Sequence, residues 1–109
     1  MMLNGHRLMW ILLTFDLPTK TKSESKAASR FRFYLLDQGF EMAQYSVYLR
    51  YCSGKNEAQM YINRISTQIP SAGKVDILRF TDKQYENIVR FEHRRPIKAD
   101  GRPKQFLLI

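Results

Sequence analysis

The sequence predicts an α+β sandwich in the order β-α-β-β-α-β, and three observations carry that expectation. An apolar run from Leu8 to Phe15 stops abruptly at a carboxylate, Asp16, and a Leu-Pro turn. Strict alternation recurs between Phe40 and Tyr51. Two stretches with three- and four-residue apolar spacing separate strand-like runs, which is the signature of helices packed on a sheet. At 109 residues, 44% hydrophobic and 13% aromatic, the chain has enough material for one core and no more.

Residues 1–7 read as a polar lead-in. The first strand covers Leu8 to Asp16. All of Leu8 to Phe15 except Thr14 is apolar, and Trp10, Ile11 and Phe15 favour a strand. Pro18 has no N–H to donate to a ladder and ends it. Alternation sends Met9, Ile11, Leu13 and Phe15 to one face and Leu8, Trp10, Leu12, Thr14 and Asp16 to the other. A helix follows from about Ser23 to Gln38. Thr21 or Ser23 caps it and Gly39 closes it, with Ala27, Phe31, Tyr34, Leu35 and Gln38 along its apolar side.

Phe40 to Tyr51 reads as one long strand, with Ala43, Tyr45, Val47, Leu49 and Tyr51 on one face and Met42, Gln44, Ser46, Tyr48 and Arg50 on the other. Ser53-Gly54 breaks it. Glu57 to Ile69 is a second helix, with Ala58, Tyr61, Ile62, Ile65 and Ile69 inward. Val75 to Phe80 is the third strand, Thr81 to Tyr85 a capped helical turn, and Asn87 to Glu92 the fourth strand. The unit is read as ferredoxin-like and occupies residues 1–92. Residues 93–109 form a basic arm rich in Arg, Lys, Pro and Gly, ending in the apolar tail Phe106-Leu107-Leu108-Ile109.

Lys and Arg total 18 against 10 Asp and Glu, a net charge of +8. This excess points to a polyanionic partner, nucleic acid ahead of an anionic membrane. The phosphate-contact candidates are Lys20, Lys22, Lys26, Arg30 and Arg32 around the first helix, and Arg90, Arg94, Arg95 and Lys98 in and beside the arm. The apolar run is too short to span a bilayer, so a cytoplasmic protein with no membrane partner is expected. A lone cysteine, Cys52, forms no intramolecular disulfide, and with only His6 and His93 there is no zinc pattern. Cys52 is read as packing. There is no phosphate-binding glycine loop, no zincin motif and no RNA-recognition signature.

Asp16 is the sharpest candidate for chemistry. A carboxylate at the end of an apolar strand costs free energy unless paired, hydrogen-bonded or metal-bound. As a hard ligand it suits Mg²⁺, with Mn²⁺ as the alternative; as a structural residue it caps the Leu17-Pro18 turn. Gln44 and Ser46 fall on the polar face near it, in orienting roles, since no histidine is placed to activate the serine. Both helices of the predicted unit lie on one side of the sheet, which leaves the Trp10–Asp16 face uncovered except by the short tail. A second copy, packed sheet to sheet about a two-fold axis, supplies the missing cover and brings two Asp16 carboxylates together.

Together these residues resemble the small CRISPR-associated adaptation proteins, the second of the two core spacer-acquisition families. The resemblance rests on FDLP at Phe15–Pro18, QGF at Gln38–Phe40, QYSVYLR at Gln44–Arg50 and FTDKQYENI at Phe80–Ile88. It spans about residues 7–92, and the TDKQ element with the basic tail is similar to members that accompany the Cas-nine type of effector. It implies a ferredoxin-like homodimer whose C-terminal strand crosses to the partner, with Asp16 as the catalytic and metal-binding residue of an Mg²⁺-dependent endonuclease. It also implies bridging of the larger CRISPR integrase subunit, with duplex DNA, or single-stranded RNA, as the nucleic acid. Arg30 and Arg32 both sit where members carry a helix-one arginine. The alternative is a stand-alone, toxin-like metal-dependent endoribonuclease of the same fold.

Overall fold

The computed structural model describes residues 8–97. The elements are β1 (Met9–Asp16), α1 (Lys22–Asp37), β2 (Glu41–Gln44), β3 (Val47–Cys52), α2 (Lys55–Ser66), β4 (Lys74–Thr81), α3 (Asp82–Glu86), β5 (Arg90–Glu92) and β6 (Arg95–Ile97). The first four strands form an antiparallel sheet in the order β2-β3-β1-β4. This is the ferredoxin-like arrangement, with β3 between the two strands that α1 connects.

β1 is central because it is apolar on both faces and paired along both edges. It runs from Met9↔Cys52 to Thr14↔Val47 against β3, and from Met9↔Thr81 to Asp16↔Lys74 against β4. Met9, Ile11 and Leu13 pack beneath the helices, against Phe31 and Leu35 of α1, Ala58 and Ile65 of α2, and Tyr48. Fully burying a side chain such as Ile11 or Leu13 contributes roughly 1.5–3 kcal/mol. α1 starts where its first N–H groups find partners: Glu24 N–H donates to Thr21 Oγ1, and the Glu24 carboxylate accepts from Thr21 N–H, each at 3.0 Å. It ends at Gly39, whose φ of +88° lets the chain reverse.

The run from Phe40 to Tyr51 is a hairpin and not one long strand. β2 and β3 pair from Glu41↔Leu49 to Gln44↔Val47 across a register shift between Met42 and Gln44. The turn, Tyr45-Ser46, has Ser46 at φ +65° and contains neither Gly, Asn nor Pro, so it carries no sequence signal. This hairpin supplies the adjacent strand pair of the fold, and Lys74–Thr81 completes the sheet. The fourth strand expected at Asn87–Glu92 is therefore displaced. Arg90–Glu92 pairs with Arg95–Ile97 in a separate two-stranded sheet. His93 and Arg94, at φ +52° and +69°, make its turn, so the beginning of the expected arm is a strand.

The second face of β1 is also partly covered from within. Trp10 is 1% exposed, stacks on Tyr85 of α3 at 4.2 Å and donates from Nε1 to Asp82 Oδ1 at 2.8 Å. The capped turn at Thr81, not a second copy, therefore covers the Trp10 end of that face. Further along, Leu12 and Thr14 are half-buried, while Leu78 opposite Leu12 is 58% exposed. Ile69, expected inward on α2, lies beyond the helix and is exposed. The tail at 106–109, with Lys98, Arg102 and Lys104, falls outside the described residues, as do His6 and Arg7.

Candidate active site and nucleic-acid surface

Asp16 is the last residue of β1, and it is exposed. Its carboxylate makes no hydrogen bond or ion pair with any described residue, so the turn-capping role is not the one it plays here. Its backbone is held firmly. Phe15 N–H donates to Ser46 O at 3.2 Å, and Gly73, at φ +95°, packs directly on the Asp16–Leu17 peptide. The strand end is thus pinned by the β2–β3 turn and by the residue before β4.

Asp16 lines a groove of about 440 Å³ between the end of β1, the side of α1 and the β2–β3 turn. Ser46, Tyr45, Ser25, Ser29 and Arg32 share its walls, and Tyr48 also lines it. The expected proximity of Ser46 to Asp16 is found; Gln44 is not among the lining residues. The two helix-one arginines part company. Arg32 enters the Asp16 groove, with its guanidinium 4.9 Å from the ring centroid of Phe33. Arg30 borders a different groove, beside Thr67 and Pro70. Lys22, Lys26 and Arg30 recur every fourth residue on α1 and are exposed, and Lys20 is exposed on the preceding loop. Arg90, Arg94 and Arg95 lie instead on the β5–β6 hairpin, where Arg95 opposes Glu92.

Among the described residues no group of three or more His, Cys, Asp or Glu side chains is placed to hold a metal ion. One chain offers Asp16 as a single carboxylate ligand. That fits Mg²⁺, which keeps several waters and binds through one or two carboxylates, provided a second ligand comes from another molecule. Cys52 is buried, and burial raises its pKa, outweighing the nearby Arg50 charge, so the thiol is held protonated, as a packing role requires.

Sequence reasoning missed Arg50. Its Nε donates to Gln38 O at 2.8 Å, Nη1 to Tyr51 O at 2.8 Å and Nη2 to the Tyr61 hydroxyl at 2.7 Å, and the guanidinium lies 3.8 Å over the Tyr61 ring. It ties the end of α1 to β3 and α2.

The model of the family described as "CRISPR associated protein Cas2" matches residues 9–88. The chain belongs to the Cas2 family. It is 48% identical over 105 residues to a Paracidovorax avenae protein named CRISPR-associated endoribonuclease Cas2, covering 96% of this chain and 97% of the other. A Flavobacterium psychrophilum protein of the same name is 43% identical over 96% of this chain and 90% of its own length. One from Parvibaculum lavamentivorans is 38% identical over 92% and 99%. The matched span of the Cas2 model holds β1 to α3 and includes Asp16, Arg32 and Ser46. No helix among the described residues is long and apolar enough to cross a membrane.

Proposed function

We propose that this Cas2 protein works as a homodimer in CRISPR spacer acquisition, as a metal-dependent endonuclease and a duplex-binding bridge to the larger integrase subunit. The observation that carries this reading is the state of Asp16: exposed, without a protein partner among the described residues, and at the end of the central strand beside a face that one chain leaves partly open at Leu12 and Leu78. Two copies joined across that face would bring two Asp16 carboxylates to the axis. Together with water they would hold Mg²⁺, or Mn²⁺ in its place. The ion's contribution would be to acidify a bound water and polarise a phosphodiester.

The relatives' name, endoribonuclease, supports RNA as one substrate, while the lysines and Arg30 of α1 suit the phosphates of duplex DNA. The C-terminal strand crosses to the partner copy in this reading. The protein acts in the cytoplasm, beside a Cas-nine type of effector. The test compares wild type with Asp16→Asn on single-stranded RNA and duplex DNA, with Mg²⁺ and with EDTA. Metal-dependent cutting lost in the variant supports the enzyme. Equal cutting by both proteins removes Asp16 from the chemistry.

A further inference from the structure

The groove beside Asp16 contains more than a metal site needs. Ser25, Ser29 and Arg32 are spaced four and three apart along α1, in a row beside that of Lys22, Lys26 and Arg30, and only the first three line the groove. They offer two hydroxyls and a guanidinium, the set that binds a phosphate. At the other wall stands Tyr45, an aromatic ring 91% exposed at the tip of the β2–β3 turn. Exposure on that scale gains nothing for the fold. The turn beneath it is nevertheless fixed, because Ser46 is held at φ +65° and its carbonyl accepts the Phe15 N–H at 3.2 Å. Tyr48, fully buried and also lining the groove, has a hydroxyl with no hydrogen-bond partner among the described residues. A volume of about 440 Å³ suits a small ligand.

We infer that this groove takes one unpaired nucleotide, with its phosphate on Arg32, Ser25 and Ser29 and its base stacked on Tyr45. Inside a duplex each base already lies between its neighbours and cannot offer a face to Tyr45; an unpaired base can. The groove therefore selects single-stranded segments or frayed ends, while the Lys22–Lys26–Arg30 stripe binds phosphates in any context. Stacking is tolerant of base identity, so the selection is for strandedness, not sequence. The inference rests on the reading that this protein acts on nucleic acid, and it names the form that reaches Asp16.

The experiment measures binding of a labelled single-stranded RNA tetranucleotide, and of a blunt DNA duplex, by fluorescence anisotropy in EDTA. Wild type, Tyr45→Ala, Tyr45→Phe and Arg32→Ala are compared, with circular dichroism to confirm folding. Tyr45→Ala is expected to weaken tetranucleotide binding roughly tenfold, Tyr45→Phe to retain it, and Arg32→Ala to weaken it, with duplex binding unchanged by either Tyr45 variant. Absent binding of the tetranucleotide by wild type overturns the inference, as does equal binding by Tyr45→Ala or a parallel loss on the duplex. With metal absent, the result is independent of cleavage. Lost cleavage in Asp16→Asn with this pattern intact leaves the groove standing, and failure here leaves the metal chemistry standing.

Discussion

A Cβ added at Gly73 would lie 2.7 Å from the Asp16 carbonyl oxygen and 2.8 Å from Leu17 Cδ2. The glycine is what allows the chain entering β4 to close on the end of β1. Its φ of +95° adds backbone strain to any side chain placed there. Gly73→Ala is expected to cost about 1–3 kcal/mol and to push the Asp16 peptide outward. Urea unfolding reads the stability loss. Metal-dependent cleavage is expected to fall further than the loss of folded protein explains.

Trp10 is the only tryptophan in the chain, and Tyr85 lies flat against it. Tyr85→Ala is expected to destabilise by roughly 3–5 kcal/mol, the range for removing a large buried aromatic. The intrinsic emission, which comes from Trp10, should shift to the red as water reaches the indole. Asp82→Ala removes the acceptor for the Trp10 Nε1 proton and should cost about 1–3 kcal/mol with a smaller shift. Unshifted emission in Tyr85→Ala would mean that something other than α3 covers this face.

Lys26→Glu combined with Arg30→Glu reverses two exposed charges on α1 and touches no described core contact. Duplex binding is expected to weaken, and the slope of log affinity against log salt to flatten, because fewer counterions are released. Anisotropy titrations at several salt concentrations measure both. An unchanged slope would remove this stripe from the interface.

The buried thiol of Cys52 gives a prediction in pH. Burial raises its pKa in the folded chain, so as pH climbs past the ordinary thiol range the unfolded chain loses its proton first. This contribution to stability is complete below the unfolded-state pKa and is lost as pH rises through the folded one. Thiol alkylation near neutral pH should be slow in the native protein and fast in denaturant. Rapid native-state labelling would show that Cys52 is more reactive than its burial implies.

The β1 pattern was legible because continuous apolar sequence is what a strand paired on both sides requires, and Thr81 and Gln84 announced α3 through their capping pattern. The Tyr45–Ser46 turn was not legible, since a left-handed serine stabilised by a contact to Phe15 is a tertiary event. Missing that turn moved the expected last strand from Lys74–Thr81 to Asn87–Glu92. The expectation that Gln44 and Ser46 both lie near Asp16 on one long strand is met by Ser46 alone, and through the turn, not through a strand position. That Arg32 lines the Asp16 groove and Arg30 a different one could not be read from helical spacing, which leaves both at the helix surface. Arg50 was hidden for a similar reason, as its partners lie on three different elements.

In the proposed dimer the metal site is shared between two copies, each giving one Asp16. The most direct measurement co-folds wild type with Asp16→Asn at a series of ratios, so that dimers form at random, and follows Mg²⁺-dependent cleavage per total chain. Activity is predicted to fall with the square of the wild-type fraction, because a mixed dimer has only one carboxylate. A fall in simple proportion to that fraction, or no metal-dependent cleavage by wild type at all, would contradict the account.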